Sequence, residues 1–302
     1  MTAPTDGIVR TRSSPTGRAG PAADGGSARP ATETRQATRR LTRRGARRLR
    51  NLLAHWHRIA TDERLRSAAV TYGRLDYPRA DIHMRLSSRQ EFNRLSSCRK
   101  EPWTVRWIEQ HLRPGEVLYD IGANVGAYTL LAVVAVPGVR VVSFEPGPAN
   151  FAALCANVEL NAVGDRVITI PIALGDHPHA ARLGHDSDVP GSAPRLVDGS
   201  SGEEATTVLV DRLDDLVERF GLAPPQHLKL DVDGTEAEVL AGGDRILASS
   251  SLRSVMVEME GGRDGKAADR LRGHGFELVE EVTSSNRPAS APTYGFFVRP
   301  DS

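Results

Sequence analysis

Cysteine is almost missing from this chain of 302 residues: Cys98 and Cys155 are the only two, and neither stands in a Cys-x-x-Cys pair. A disulfide framework and a structural zinc site are thereby excluded, and a reducing, cytoplasmic setting is expected. Lysine is also scarce, with Lys100, Lys229 and Lys266 standing against 36 arginines. We read that bias as the mark of a GC-rich genome rather than of a site. The N-terminus has no apolar core segment of the kind a secretory leader needs. The uncharged run from Ile121 to Val139 is broken by Gly122, Asn124, Gly126, Pro137 and Gly138. It therefore reads as turn, helix, turn, and no transmembrane span is expected.

Charge is present but unevenly spread. The net value is +1, yet residues 1–50 carry +9 and the remainder −8. Residues 1–38 are rich in Thr, Ser, Gly, Ala, Pro and Arg and have almost no large apolar side chains, so a disordered tail is expected. Residues 39–99 read as a helical lead-in placed to cap a site. Within it Leu49, Leu52, Leu53, Trp56 and Ile59 follow helical spacing among arginines, which describes a basic amphipathic helix. Packing against the main domain is the plain reading of that helix. An acidic membrane surface or RNA is the other.

From Lys100 onward, over 100–302, a regular beat begins. Pro102 opens a helix whose buried face is Val105, Ile108 and Leu112. Apolar runs at Val117–Ile121, Arg140–Phe144, Val167–Ile172, His227–Val232 and Ser254–Met259 read as strands. Helical patterns over Val125–Val136, Asn150–Leu160, Asp211–Phe220 and Thr235–Leu247 lie between most of them. Such alternation predicts an α/β fold, a doubly wound, mostly parallel sheet with helices on both faces. The last two runs, Phe276–Val282 and Tyr294–Arg299, have only a loop between them and must pair antiparallel. The interval 176–205 reads as a loop or small hairpin over the sheet edge.

In such a sheet a ligand sits beyond the carboxyl ends of the strands. Four carboxylates fall there: Asp120, Glu145, Asp231 and Glu258. The stretch "YDIGANVGAYT" supplies a tight turn at Gly122, a close helix approach at Gly126, and Asn124, which tolerates positive φ. No Gly-Lys-Ser/Thr follows, so this is not a Walker loop. Asp120 beside the helix N-terminus would repel a pyrophosphate but suits the sulfonium and ammonium groups of S-adenosylmethionine. Glu145 stands where an acidic side chain accepts both ribose hydroxyls. Ala173 and Leu174 would flank an adenine, as plain packing would also require.

The run "LKLDVDGTEAEVL" holds Asp231, Asp233 and Glu236. Asp231 and Glu236 are the catalytic candidates, since a carboxylate near an acceptor hydroxyl can take or polarise its proton. Asp231 and Asp233 together could instead hold magnesium. The alternative is structural, with Asp233-Gly234 a turn and Glu236 a first-turn helix residue. The strand end lacks the Asn/Asp-Pro-Pro-aromatic run of amino methylation, and neither cysteine follows a proline. Oxygen is the acceptor that remains.

"VLYDIGANVGAYTL", "FEPGPANFAALCANVELN", "IPIALGD" and "LKLDVDGTEAEVLAGG" occur in that order, and together they resemble the FkbM family of S-adenosylmethionine-dependent methyltransferases. The likeness covers about residues 100–299. It implies a class I methyltransferase fold, O-methylation of sugars or secondary metabolites, and cofactor contacts at Asp120, Gly122, Asn124, Gly126 and Glu145. It also implies a site role around Asp231. One departure is Asp233, where the family commonly has Glu. The expected activity is therefore methyl transfer to a hydroxyl of a small metabolite, with nucleic acid not the expected partner. Two alternatives stand beside it: an NAD-dependent oxidoreductase of the same architecture, and a non-catalytic binding protein using its basic arm on membrane or RNA. The acceptor pocket is expected from residues 72–100, 176–205 and 283–293.

Overall fold

The computed structural model describes residues 71–184, 189–193, 195–197, 205–259, 265–283 and 293–300. The expected tail over 1–38 and the amphipathic helix over residues 49–59 lie outside the described residues. So does most of the 283–293 loop.

A seven-stranded sheet organises the domain. Its strands are β3 (Val117–Ile121), β4 (Arg140–Phe144), β5 (Val167–Ile170), β10 (His227–Leu230), β11 (Ser254–Met259), β12 (Glu277–Thr283) and β13 (Thr293–Val298). They stand in the order β12-β13-β11-β10-β3-β4-β5. The five strands from β11 to β5 run parallel, and β13 pairs antiparallel with both β11 and β12. This is the doubly wound sheet with an antiparallel C-terminal hairpin that the apolar beat predicts.

Period-two alternation sends neighbouring residues to opposite faces. Leu118, Val141 and Met256 point to one side. There α3 (Pro102–His111), α4 (Ala127–Ala135) and α5 (Pro148–Leu160) pack through Ile108, Leu131 and Leu154. Tyr119, Val142 and Val257 point to the other side. There α6 (Leu213–Phe220), α7 (Glu236–Ala241), α8 (Asp244–Ala248) and α9 (Lys266–Gly273) pack through Leu216, Leu240, Leu247 and Leu271. Apolar burial on both faces, about 25 cal/mol per Å², supplies most of the stabilisation.

The single helix expected over Thr235–Leu247 is two. Gly242 lies between them, where an added Cβ would stand 2.0 Å from the carbonyl oxygen of Gly175. Only glycine fits that approach, and the chain bends there.

The interval after β5 holds more strand than expected. β6 (Ala173–Leu174), β7 (His179–Gly184), β8 (Arg195–Val197) and β9 (Ala205–Asp211) form a second sheet in the order β6-β9-β7-β8. Val208 and Val210 of β9 are buried while Leu209 is 65% exposed.

The lead-in between residues 71 and 100 folds as a hairpin, β1 (Thr71–Arg74) and β2 (His83–Leu86), followed by α1 (Arg89–Arg94) and α2 (Ser97–Lys100). Ser88 and Glu91 cap α1 reciprocally. Asn157 of α5 accepts from the Arg85 backbone N–H at 2.7 Å, and Asn161 accepts from His83 at 2.9 Å. These bonds hold β2 against α5 and bring α1 and α2 toward the strand ends. Among the described residues no helix is long and apolar enough to cross a membrane.

Candidate active site

The chain leaves β3 for β4 on one side and later returns to β10 on the other. The crevice therefore opens beyond the ends of β3 and β10. Three residues of the turn after β3 have positive φ: Gly122 at 79°, Asn124 at 51° and Gly126 at 90°. A Cβ on Gly122 would lie 1.9 Å from the Asp231 carbonyl oxygen, and one on Gly126 would lie 2.6 Å from Leu154 Cδ1. The glycines thus let the turn press against the end of β10 and let α4 approach α5.

Two cavities meet at this turn. The first has an apolar wall of Ile172, Ala173, Leu174, Leu183 and Leu196, and Gly122, Asn124, Glu145, Asp231 and Asp233 also line it. The second is polar, with Arg94, Lys100, Glu101, Tyr128, Lys229, Glu258 and Tyr294 on its walls. Gly122, Asn124, Asp231 and Asp233 line both.

Glu145 follows β4 and is buried. Its carboxylate accepts from the backbone N–H groups of Asn124 and Gly147, each at 2.8 Å. Burial pushes its carboxyl up to about 7, against those hydrogen bonds. It is an acceptor aimed at the cavity and held by main chain.

Asp120 stands differently from the expectation that it faces the cofactor. It lines neither cavity. Thr129 Oγ1 donates to its Oδ2 at 2.6 Å, and Lys229 Nζ lies 3.2 Å from its Oδ1. The cause is register: Lys229 of β10 lies beside Asp120 of β3 in the sheet. Both side chains are 1% exposed, so the pair closes on itself.

Asp231 does reach the site. Its Oδ2 is 3.5 Å from Lys229 Nζ, and its side chain is 26% exposed. Glu258, at the end of β11, hydrogen-bonds to it. Burial, then the adjacent Asp231 charge, push Glu258 up to about 9. Burial also opposes the charge of Asp231, but Lys229 and the Glu258 hydrogen bond hold its carboxyl below the usual range. Glu258 therefore keeps its proton and donates a hydrogen bond to an ionised Asp231.

Glu236 turns away. Its Oε1 accepts from the Val232 and Gly234 backbone N–H groups, both at 3.3 Å, and it lines neither cavity. It braces the turn where Asp233 takes φ of 56°. The carboxyl that hydrogen-bonds to Asp231 is thus Glu258, whereas Glu236 bonds to the main chain. Among the described residues no three His, Cys, Asp or Glu side chains are grouped to hold a metal ion.

Sequence reasoning also missed a strap. Asn124 Nδ2 donates to the Ser192 carbonyl at 2.6 Å, Asn150 Oδ1 accepts from Gly191 at 2.8 Å, and Arg94 Nε donates to the Gly191 carbonyl at 3.2 Å. Residues 191–192 are thereby tied across the glycine turn. Lys229 was equally hidden, because a lysine inside an apolar run shows no partner until the strands are in register.

The donor set fits S-adenosylmethionine. A flat base suits the wall of Ile172, Ala173 and Leu174, and a ribose diol suits Glu145. Two phosphates would instead meet Glu145, Asp231 and Asp233, with no basic side chain among the described residues of the first cavity to offset them.

Residues 120–278 match the family model described as the Methyltransferase FkbM domain. The chain is 35% identical over 216 residues to the 31-O-demethyl-FK506 methyltransferase FkbM of Streptomyces tacrolimicus, covering 60% of this chain and 82% of that protein. It is 29% identical over 205 residues to the hexuronic acid methyltransferase AglP of Haloferax volcanii, covering 67% and 80%. Among solved structures, Trm5b from Pyrococcus abyssi superimposes with a TM-score of 0.44 at 14% identity, covering 76% and 55%. The oxidoreductase and non-catalytic alternatives give way to the family match, which spans both strand-end motifs and the second sheet. The chain belongs to the FkbM family of S-adenosylmethionine-dependent methyltransferases.

Proposed function

We propose that this enzyme transfers a methyl group to a hydroxyl of a small natural product or sugar. The observation that carries the reading is the position of Asp231, an ionised carboxylate shared by an apolar-walled cavity and a polar one. The names of the two relatives, one a 31-O-demethyl-FK506 methyltransferase and one a hexuronic acid methyltransferase, support the acceptor class.

In this reading the first cavity takes the nucleoside. Ala173 and Leu174 would flank the base, and Glu145 would accept hydrogen bonds from the ribose hydroxyls. Gly122 and Asn124 bring backbone to the donor's amino-acid end. The second cavity takes the acceptor, with the lead-in capping it through Arg94, Lys100 and Glu101. When bound, S-adenosylmethionine supplies an electrophilic methyl group on a positively charged sulfur.

Asp231 then has two tasks. Its charge would face the cation, and its carboxylate would receive the hydroxyl proton as the acceptor oxygen bonds to the methyl carbon and the carbon–sulfur bond breaks, its electron pair going to sulfur. An alcohol becomes a strong acid as that bond forms, so a carboxylate held below the usual range still suffices as acceptor. Glu258, already protonated, orients Asp231 and does not compete for that proton. Glu236 acts by holding residues 232–234 in place. The two free cysteines fit a reducing, cytoplasmic setting.

The test is a labelled-methyl screen against glycosides and polyketide-type alcohols, with and without a chelator. Label should appear as an O-methyl ether or ester and be lost in D231N. Label on nitrogen or carbon would overturn the oxygen assignment. The chelator arm decides whether a metal takes part.

A further inference from the structure

Two carboxylates compete for the role of counter-charge to the methyl donor, and a buried lysine lies between them. Lys229 Nζ is 3.2 Å from Asp120 Oδ1 and 3.5 Å from Asp231 Oδ2. It also lies 5.3 Å from the centre of the Tyr128 ring, which closes it from above. The two contacts are unequal in environment. Asp120 and Lys229 side chains are each 1% exposed, where low polarity makes their attraction strong and their charges cancel. Asp231 is 26% exposed and lines both cavities, so its charge remains available to a ligand. Asp233 also lines them, but it is exposed, and water screens it.

We propose that Lys229 is a positioning residue that decides which carboxylate meets the donor's positive sulfur: it holds Asp120 inside the sheet and leaves Asp231 as the counter-charge. This rests on the donor reading under the proposed function. It assigns the strand-end aspartate of the glycine motif to Lys229 and not to the ligand.

The experiment compares calorimetric affinities for S-adenosylmethionine and S-adenosylhomocysteine on the full chain at about pH 8. The two ligands differ in the charge on sulfur, so their affinity ratio reports the counter-charge. D231N should lower the ratio about ten-fold, the scale of one charge contact partly exposed to water. K229M, which frees Asp120, should raise it about five-fold, and D120N added to K229M should return it to the wild-type value. A merely structural role would move both affinities together and leave the ratio alone. The proposal is overturned if D120N lowers the ratio as far as D231N does, or if K229M leaves it unchanged. Should K229M not fold, the comparison of D120N with D231N still separates the two carboxylates. Wild type binding neither ligand would instead sink the donor reading itself.

Discussion

The Asp231 carbonyl oxygen occupies the space that a Cβ on Gly122 would need, 1.9 Å away. The turn after β3 and the end of β10 are therefore in main-chain contact, and this contact sets where Asp231 stands. Gly122 also has φ of 79°, which costs an L side chain. Gly122→Ala should destabilise the fold by about 2–4 kcal/mol and abolish donor binding. Urea melts and calorimetry measure both, and an alanine variant with wild-type stability and affinity would show that the contact is not needed.

Glu145 makes the enzyme sensitive to pH near neutrality. Its folded carboxyl sits at about 7, against an ordinary 4.5, because burial outweighs its hydrogen bonds. The folded state thus holds a proton that the unfolded chain gives up. The associated stability is full below about 4.5 and is lost as pH rises through about 7. On the order of 2–3 kcal/mol should go between about pH 5 and pH 8, and E145Q should flatten that slope. Donor affinity should run the other way and rise with pH, since only the ionised carboxylate accepts from both hydroxyls. Chemical denaturation and S-adenosylhomocysteine titrations across pH check the two opposite trends.

Asn124 combines a left-handed backbone with a tie to the Ser192 carbonyl at 2.6 Å. Asn124→Gly keeps the conformation and removes the tie, whereas Asn124→Ala loses both. The glycine variant should fold as well as wild type and bind donor several-fold more weakly. The alanine variant should in addition lose about 1 kcal/mol of stability. Equal affinity in the glycine variant would show the strap to be unimportant for binding.

At the opposite end of the sheet a buried network depends on Glu116. It accepts from His227 Nε2 at 2.9 Å and pairs with Arg253, while His227 Nδ1 lies 2.7 Å from Ser254 Oγ. Glu116→Ala should cost about 3 kcal/mol and leave donor affinity unchanged. Burial lowers His227 from 6.5 to about 4, so the folded state resists its protonation. Stability should therefore fall as pH drops from about 6.5 to about 4, a trend absent from His227→Phe. Thermal melts over that range are the check.

Much of the architecture was legible because parallel strands buried on both faces read as apolar runs. The β3, β4 and β11 boundaries follow directly from that pattern. The β9 strand was less visible: its alternation of buried Val208 and Val210 with exposed Leu209 sits inside a polar, Gly- and Ser-rich interval. The break at Gly242 was hidden because its cause, Gly175, lies 67 positions away in sequence and meets it only in the fold. The same holds for the site. Gly122, Asn124, Glu145, Ala173, Leu174 and Asp231 reach one cavity because strand ends converge. Asp120 and Glu236 carry the right chemistry, but their direction depends on strand register and on turn hydrogen bonds, neither of which is local.

The most direct measurement of the central claim is a pair of calorimetric titrations of the wild-type chain, one with S-adenosylhomocysteine and one with NAD. The account predicts saturable binding of the first with a single site, weakened in E145Q, and no heat from the second. Binding of NAD with none of S-adenosylhomocysteine would contradict it.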